Sequence, residues 1–168
     1  MIYIFDAYYL ADQVRTACVV IEDWSAHEAT TTIVKTSPIS SGYISGQFYK
    51  RELPGILEVL QEVELIADDL IIIDGYVFLD DDQKMGLGAH LHGAINRSCP
   101  VIGVAKKSFR SLDKACLPAL RGQSTKPLYV TAVDYDLVNA RDQVVQMRGP
   151  YRIPDMLKLA DQLSKGIE

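Results

Sequence analysis

Three aspartates in this 168-residue chain stand where an apolar run ends: Asp6 after Met1–Phe5, Asp74 after Leu70–Ile73, and Asp134 after Leu128–Val133. A carboxylate just past a buried strand sits at the edge of a sheet, where open α/β sheets place their ligands. If the three strands neighbour one another, these carboxylates converge from distant parts of the chain, and Glu52, just ahead of a helix start, is a candidate fourth. Clustered carboxylates repel one another unless a cation neutralises them. Hard divalent ions that prefer oxygen, Mg²⁺ above all, suit such a group. Two ions about 3.5–4 Å apart hold the attacking water and the leaving oxygen of an in-line phosphoryl displacement, which is the chemistry these positions suggest. Each residue taken singly has a plainer role, the aspartates as turn or cap residues and Glu52 as an acid favoured by a helix amino terminus. Periodicity alone does not decide between the two.

The elements that must position these groups follow from the apolar pattern. Met1–Phe5, Arg15–Ile21 and Ala29–Lys35 are β-prone and closely spaced, which predicts an antiparallel meander. A loop rich in turn formers follows over Ser37–Gly46. Proline suits a first helical turn, so a helix is expected to begin near Pro54, with Ile56, Leu57, Val59, Leu60 and Val63 on its apolar face. Leu70–Ile73 is too short for a helix and wholly apolar, as a central strand would be. Met85–Arg97 is expected to be a helix and Cys99–Ala105 a buried strand ending at Lys106 and Lys107. Residues 108–126 show no regular pattern. Leu128–Val133 is a strand, and Leu137–Met147 and Asp155–Lys165 are helices. The order predicts an α/β fold with a mixed sheet flanked by helices, in a single domain spanning residues 1–168.

Composition narrows the classes of function. Apolar residues make up 48% and charged residues 23%, as in an ordinary soluble domain. The net charge of −5 argues against passive coating of nucleic acid by bulk charge. A polyanion would have to be held by local basic residues and metal ions. Cys18, Cys99 and Cys116 lack metal-site or disulfide-framework spacing and are expected to be reduced, in a cytoplasmic setting. His27, His90 and His92 do not make a zinc set. No apolar run approaches the length of a membrane span.

Asp74-Gly75, then Gly86-Leu-Gly-Ala-His90, then Gly103-Val-Ala-Lys106-Lys107 resemble the endonuclease V family in order and spacing. Gly42-Tyr43-Ile44-Ser45-Gly46 is similar to that family's Pro-Tyr-Ile-Pro-Gly loop, and Phe48-Tyr-Lys-Arg-Glu52-Leu-Pro54 to its Phe-x-x-Arg-Glu-x-Pro segment. Asp6-Ala-Tyr-Tyr9 matches its first Asp motif, and Lys126–Val130 and Gly149–Pro154 also have counterparts. The resemblance implies a ribonuclease H-like fold, an antiparallel meander followed by parallel strands. It also implies a Mg²⁺-dependent endonuclease, with Mn²⁺ able to substitute, that cuts DNA or RNA near inosine and acts as a monomer. By resemblance Asp6, Glu52 and Asp74 are the metal carboxylates, and Lys106 is the lysine beside the scissile phosphate. Tyr43 corresponds to the wedge residue and stands with Ile44, Gly75, Tyr76 and Lys107 as the expected substrate-binding set. Asp134 aligns with a catalytic histidine of the family and could serve as a further metal carboxylate.

The chain departs from the family pattern in its base-reading parts. Asp74-Gly75-Tyr76-Val77 replaces Asp-Gly-His-Gly, and Val77 removes the close backbone approach that glycine permits. The wedge loop carries Gly42 and Ser45 in place of two prolines, and five residues stand ahead of Asp6 in this sequence, where the family pattern has an amino-terminal helical extension. Three readings stay open on sequence: an active nuclease, a nucleic-acid-binding relative without turnover, and a ribonuclease H-like nuclease of different specificity.

Overall fold

The computed structural model describes residues 1–39, 49–109 and 112–167. The expected wedge Tyr43 and the substrate-binding residue Ile44 lie outside the described residues.

Among the described residues, seven strands form one sheet. They are β1 (Ile2–Tyr9), β2 (Gln13–Ile21), β3 (Thr31–Pro38), β4 (Leu70–Asp74), β5 (Val101–Ala105), β6 (Leu117–Ala119) and β7 (Leu128–Val133), and the order across the sheet is β3-β2-β1-β4-β5-β7-β6. The first three make the expected meander, β1 pairing antiparallel with β2 and β2 with β3. The crossovers then bring β4 parallel to β1 and β5 parallel to β4. This is the ribonuclease H-like arrangement. The central strands read as unbroken apolar runs because both faces of the sheet are covered. Ile71, Ile72 and Ile73 are each at most 1% exposed, which is worth about 1.5–3 kcal/mol per side chain.

Helices α1 (Tyr49–Leu60), α2 (Leu87–Ala94), α3 (Leu137–Gln146) and α4 (Asp155–Ser164) cover the two faces. Alternation along each strand decides which face a side chain joins. Ile4, Ile72 and Val104 pack with Ala140 and Val144 of α3 and Met156 and Ala160 of α4. Phe5, Ile71, Ile73 and Val101 pack with Ile56 and Val59 of α1 and Leu87 and Leu91 of α2.

Several boundaries differ from the sequence expectation, for local reasons. Strand β1 continues through Asp6 to Tyr9, because β2 pairs with it along that whole length. Helix α1 begins five residues before Pro54, so the proline lies inside the helix rather than at its start. Helix α2 is shorter than Met85–Arg97, since Phe78 and Met85 form a β-bridge and Asn96 and Arg97 take left-handed backbone angles just past its end. The three residues of β6 emerge from a stretch with no legible period because β7 supplies a free edge.

One buried cation organises the approach to α4. Arg121, 3% exposed, donates to the carbonyls of Val144, Met147, Gly149 and Tyr151 at 3.2, 3.0, 2.8 and 3.2 Å. Two of those carbonyls belong to the end of α3, where helical acceptors lack partners and a positive charge is favoured. The same guanidinium thus closes α3 and fixes the turn that launches α4.

Candidate active site

Because β1 and β4 run parallel side by side, Phe5 aligns with Ile73, and Asp6 and Asp74 come next at the same end of the sheet. By strand alternation Asp6 follows the parity of Ile4, and Asp74 that of Ile72, so both carboxylates belong to the α4 face. They line one pocket with Lys106, Val104, Ile153 and Leu157. Lys106 Nζ lies 3.9 Å from Asp74 Oδ2 and 3.9 Å from Asp161 Oδ1 of α4. Asp161 also receives Lys165 Nζ at 2.9 Å, one helical turn on.

Glu52 reaches the same rim from the opposite face, in the first turn of α1. It shares a second pocket with Asp6, Ala7, Asp74 and Leu87. Its Oε1 accepts a hydrogen bond from the Tyr9 hydroxyl at 2.8 Å. The structure therefore brings Asp6, Glu52, Asp74 and Lys106 to one edge, as expected.

The electrostatics of this edge are unfavourable to the carboxylates alone. Burial raises Asp6, which is 8% exposed, and the nearby Asp74 raises it further, while Lys106 and the Ala7 amide pull it back. Burial likewise raises Asp74; Lys106 opposes this and Asp161 adds to it. Burial pushes Glu52 up to about 7 against the Tyr9 hydrogen bond, with Asp74 adding repulsion. Such carboxylates call for a positive charge. Lys106 already supplies one, its ammonium standing between Asp74 and Asp161.

The donor set fits a hard divalent cation. Asp6, Glu52, Asp74 and Asp161 are all carboxylates, the donor type that Mg²⁺ and Mn²⁺ prefer. Among the described residues no three His, Cys, Asp or Glu side chains stand close enough to form a ready-made ligand set. Asp6 and Asp74 are shared by the two pockets, Glu52 lining the second with them.

Asp134 requires a correction. Strand β7 runs antiparallel to β5, with Val133 opposite Val101 at the start of β5, whereas Asp74 aligns with Val104 near its end. Asp134 therefore emerges at the opposite end of the sheet. There it accepts from buried His92, Nε2 to Oδ2 at 2.8 Å. The sequence reading assumed that every strand-ending aspartate leaves the sheet at one edge, which holds only for parallel strands. The acid that joins the site instead is Asp161. No strand end marks it; in sequence it is one of two acids in an amphipathic helix. The available signal was its spacing four residues before Lys165 on a helix that must pack on β1.

Gly75 and Tyr76 do follow the site. Gly75 takes φ +132, a region open to glycine, and turns the chain across β5. Gly103 leaves room for that crossing, since a Cβ there would lie 2.5 Å from the Gly75 carbonyl oxygen. Tyr76 donates its hydroxyl to the Lys107 carbonyl and tilts against Phe109, ring centroids 5.7 Å apart. Val77 is fully buried, and its carbonyl accepts from Gly86 and Ala89 at the start of α2 at 2.9 and 3.2 Å. His90 is stacked on Tyr49 at 3.6 Å, a packing role.

The family model for endonuclease V matches residues 2–121. The chain belongs to the endonuclease V family. A relative named endonuclease V from Nocardia farcinica is 31% identical over 173 residues, covering 92% of this chain and 74% of its own length. The crystal structure of endonuclease V from Streptomyces avermitilis superimposes with a TM-score of 0.76 at 25% identity, covering 98% of this chain and 79% of that one. Ciona intestinalis endonuclease V, solved with a 23mer DNA containing an inosine followed by a ribo-adenosine, shares the fold at a TM-score of 0.76 and 19% identity, covering 98% and 83%. Membership makes the chain a nuclease, a hydrolase of nucleic-acid phosphodiesters.

Proposed function

We propose that this endonuclease V family member is a divalent-metal-dependent endonuclease that hydrolyses a phosphodiester of DNA beside an inosine. The observation that carries the reading is the Lys106 ammonium 3.9 Å from both Asp74 and Asp161, with Asp6 lining the same pocket at the ends of β1 and β4. The DNA and the inosine come from what the Ciona relative binds.

In this reading Asp6, Glu52, Asp74 and Asp161 hold Mg²⁺, or Mn²⁺ in its place. When bound, the cation acidifies water and offsets charge on the phosphoryl oxygens. Water adds to phosphorus, one P–O bond of the diester breaks, and the departing oxygen takes a proton. Lys106 supplies a fixed charge toward the negative charge that builds on the phosphate. Lys107 follows Lys106, and Arg152 donates to the Lys106 and Pro127 carbonyls on the same edge, where backbone phosphates would pass. The three free, buried cysteines support a reducing, cytoplasmic setting. Among the described residues no helix is long and apolar enough to cross a membrane.

A change in base preference is favoured by one observation. Buried Val77 occupies the position where the family pattern has glycine, and the carbonyls of Tyr76 and Val77 are engaged by the start of α2. The test is a panel of labelled oligonucleotides, DNA and RNA, with and without inosine, in Mg²⁺, Mn²⁺ or EDTA. Metal-dependent cutting next to inosine supports the proposal. Metal-dependent cutting indifferent to inosine supports the altered base preference, and binding without cutting in either metal overturns the nuclease reading for this chain.

A further inference from the structure

Glu52 differs from the other acids of the site in what holds it: a tyrosine hydroxyl, where Asp6 accepts from the backbone amide of Ala7 and Asp74 and Asp161 are paired with lysines. Glu52 Oε1 accepts from the Tyr9 hydroxyl at 2.8 Å, a contact between the last residue of β1 and the first turn of α1, 43 residues on. The face of the Tyr9 ring meanwhile carries Arg51, whose guanidinium carbon lies 4.5 Å from the ring centroid. Arg51 Nε is buried with no hydrogen-bond partner among the described residues. Three side chains are thus linked through one: Tyr9 binds an acid by its hydroxyl and a base by its ring.

Resting on the nuclease reading above, we propose that Tyr9 is a positioning residue, fixing the Glu52 carboxylate for a divalent cation and the Arg51 guanidinium for a nucleic-acid phosphate.

The geometry gives each half a physical basis. A glutamate has three rotatable bonds, and a free Glu52 would lose that freedom on binding a cation. The hydroxyl contact removes much of it beforehand and leaves Oε2 as the oxygen without that bond. Hydrogen bonds to a ligating carboxylate act in this way, and their loss weakens metal binding about 10–100-fold. An arginine stacked on an aromatic ring by its face keeps its in-plane N–H donors uncommitted to the ring, and its planar fork suits a phosphate. Tyr9 belongs to the α1 face by strand alternation and Glu52 by its place on α1, whereas Asp6 and Asp74 belong to the α4 face by alternation and Asp161 by its place on α4. The α1-side ligand therefore has its own support, separate from Lys106.

Calorimetric titration of Mn²⁺ and steady-state cleavage of an inosine-containing duplex, on the same preparations, separate the two halves. Tyr9→Phe keeps the ring and removes the hydroxyl. It is expected to weaken Mn²⁺ binding about tenfold and to leave the KM for duplex near that of the unmodified protein at saturating Mn²⁺. Tyr9→Leu is expected to weaken Mn²⁺ equally and to raise KM as well. Arg51→Met is expected to raise KM alone. Asp74→Asn serves as the reference. Weakened Mn²⁺ binding in Asp74→Asn with wild-type binding in Tyr9→Phe overturns the role of Tyr9, and wild-type binding in both overturns the metal-site reading itself. Retained tight KM in both Tyr9→Leu and Arg51→Met overturns the phosphate half.

Discussion

Lys106 Nζ lies 3.9 Å from Asp74 Oδ2, an ammonium from the end of β5 set against a carboxylate from the end of β4. Both side chains are about 40% exposed, so the pair contributes little to stability. Its value is in placement. Parallel pairing of β4 and β5 sets Asp74 against Val104, two residues before Lys106, and a cation bound by Asp74 would compete with the lysine for that carboxylate.

Removal of the amine should therefore separate metal binding from turnover. Lys106→Met is expected to lower kcat about 100-fold, the order found when one charge-stabilising donor is lost, while Mn²⁺ affinity holds or rises. Stopped-flow cleavage together with calorimetry checks this; unchanged kcat would remove Lys106 from the chemistry.

The two acids that sequence and structure rank differently give a second test. Asp161→Asn is expected to abolish cleavage, and Asp134→Asn to leave kcat unchanged. An active Asp161→Asn beside an inactive Asp134→Asn would reverse the assignment made from the antiparallel course of β7.

Asp134 should matter for stability instead. His92 is 6% exposed and pairs with it at 2.8 Å. Asp134→Ala leaves a buried imidazole without that partner, at a cost of about 1–3 kcal/mol. Urea unfolding would show this as a lower midpoint at an unchanged slope.

Crowded carboxylates predict an unusual pH dependence for the metal-free protein. Burial raises Glu52 from its ordinary 4.5 to about 7, so the folded state binds more protons than the unfolded state between those values. Stability from this group is then fully present below about 4.5 and is lost as pH rises through about 7. In EDTA, the fall in urea midpoint from pH 5 to pH 8 should be smaller for Glu52→Gln than for the unmodified protein. Equal falls would show that Glu52 carries no such strain.

What the sequence disclosed follows from what each pattern can encode. The central strands were legible because Leu70–Ile73 and Cys99–Ala105 are apolar on both faces, and Asp6 and Asp74 because each stands next to such a run. Strand direction was not legible at β7. Residues 108–126 conceal a three-residue strand and a reversal of course, neither of which has a period, and so Asp134 was set at the wrong edge. Asp161 was hidden for a related reason: an acid on an amphipathic helix looks like any solvated residue until the helix is docked. The segment that leads into that helix is tied to Arg121 through four carbonyls, a tertiary contact with no local signature.

The most direct measurement is single-turnover cleavage of an inosine-containing duplex by the unmodified protein and by Asp74→Asn, each in Mg²⁺ and in EDTA. The expected result is cutting by the unmodified protein in Mg²⁺ alone, with loss of activity in Asp74→Asn while circular dichroism stays unchanged. Cutting that survives both EDTA and Asp74→Asn would contradict a catalytic centre built on the carboxylates of β1, β4 and α4.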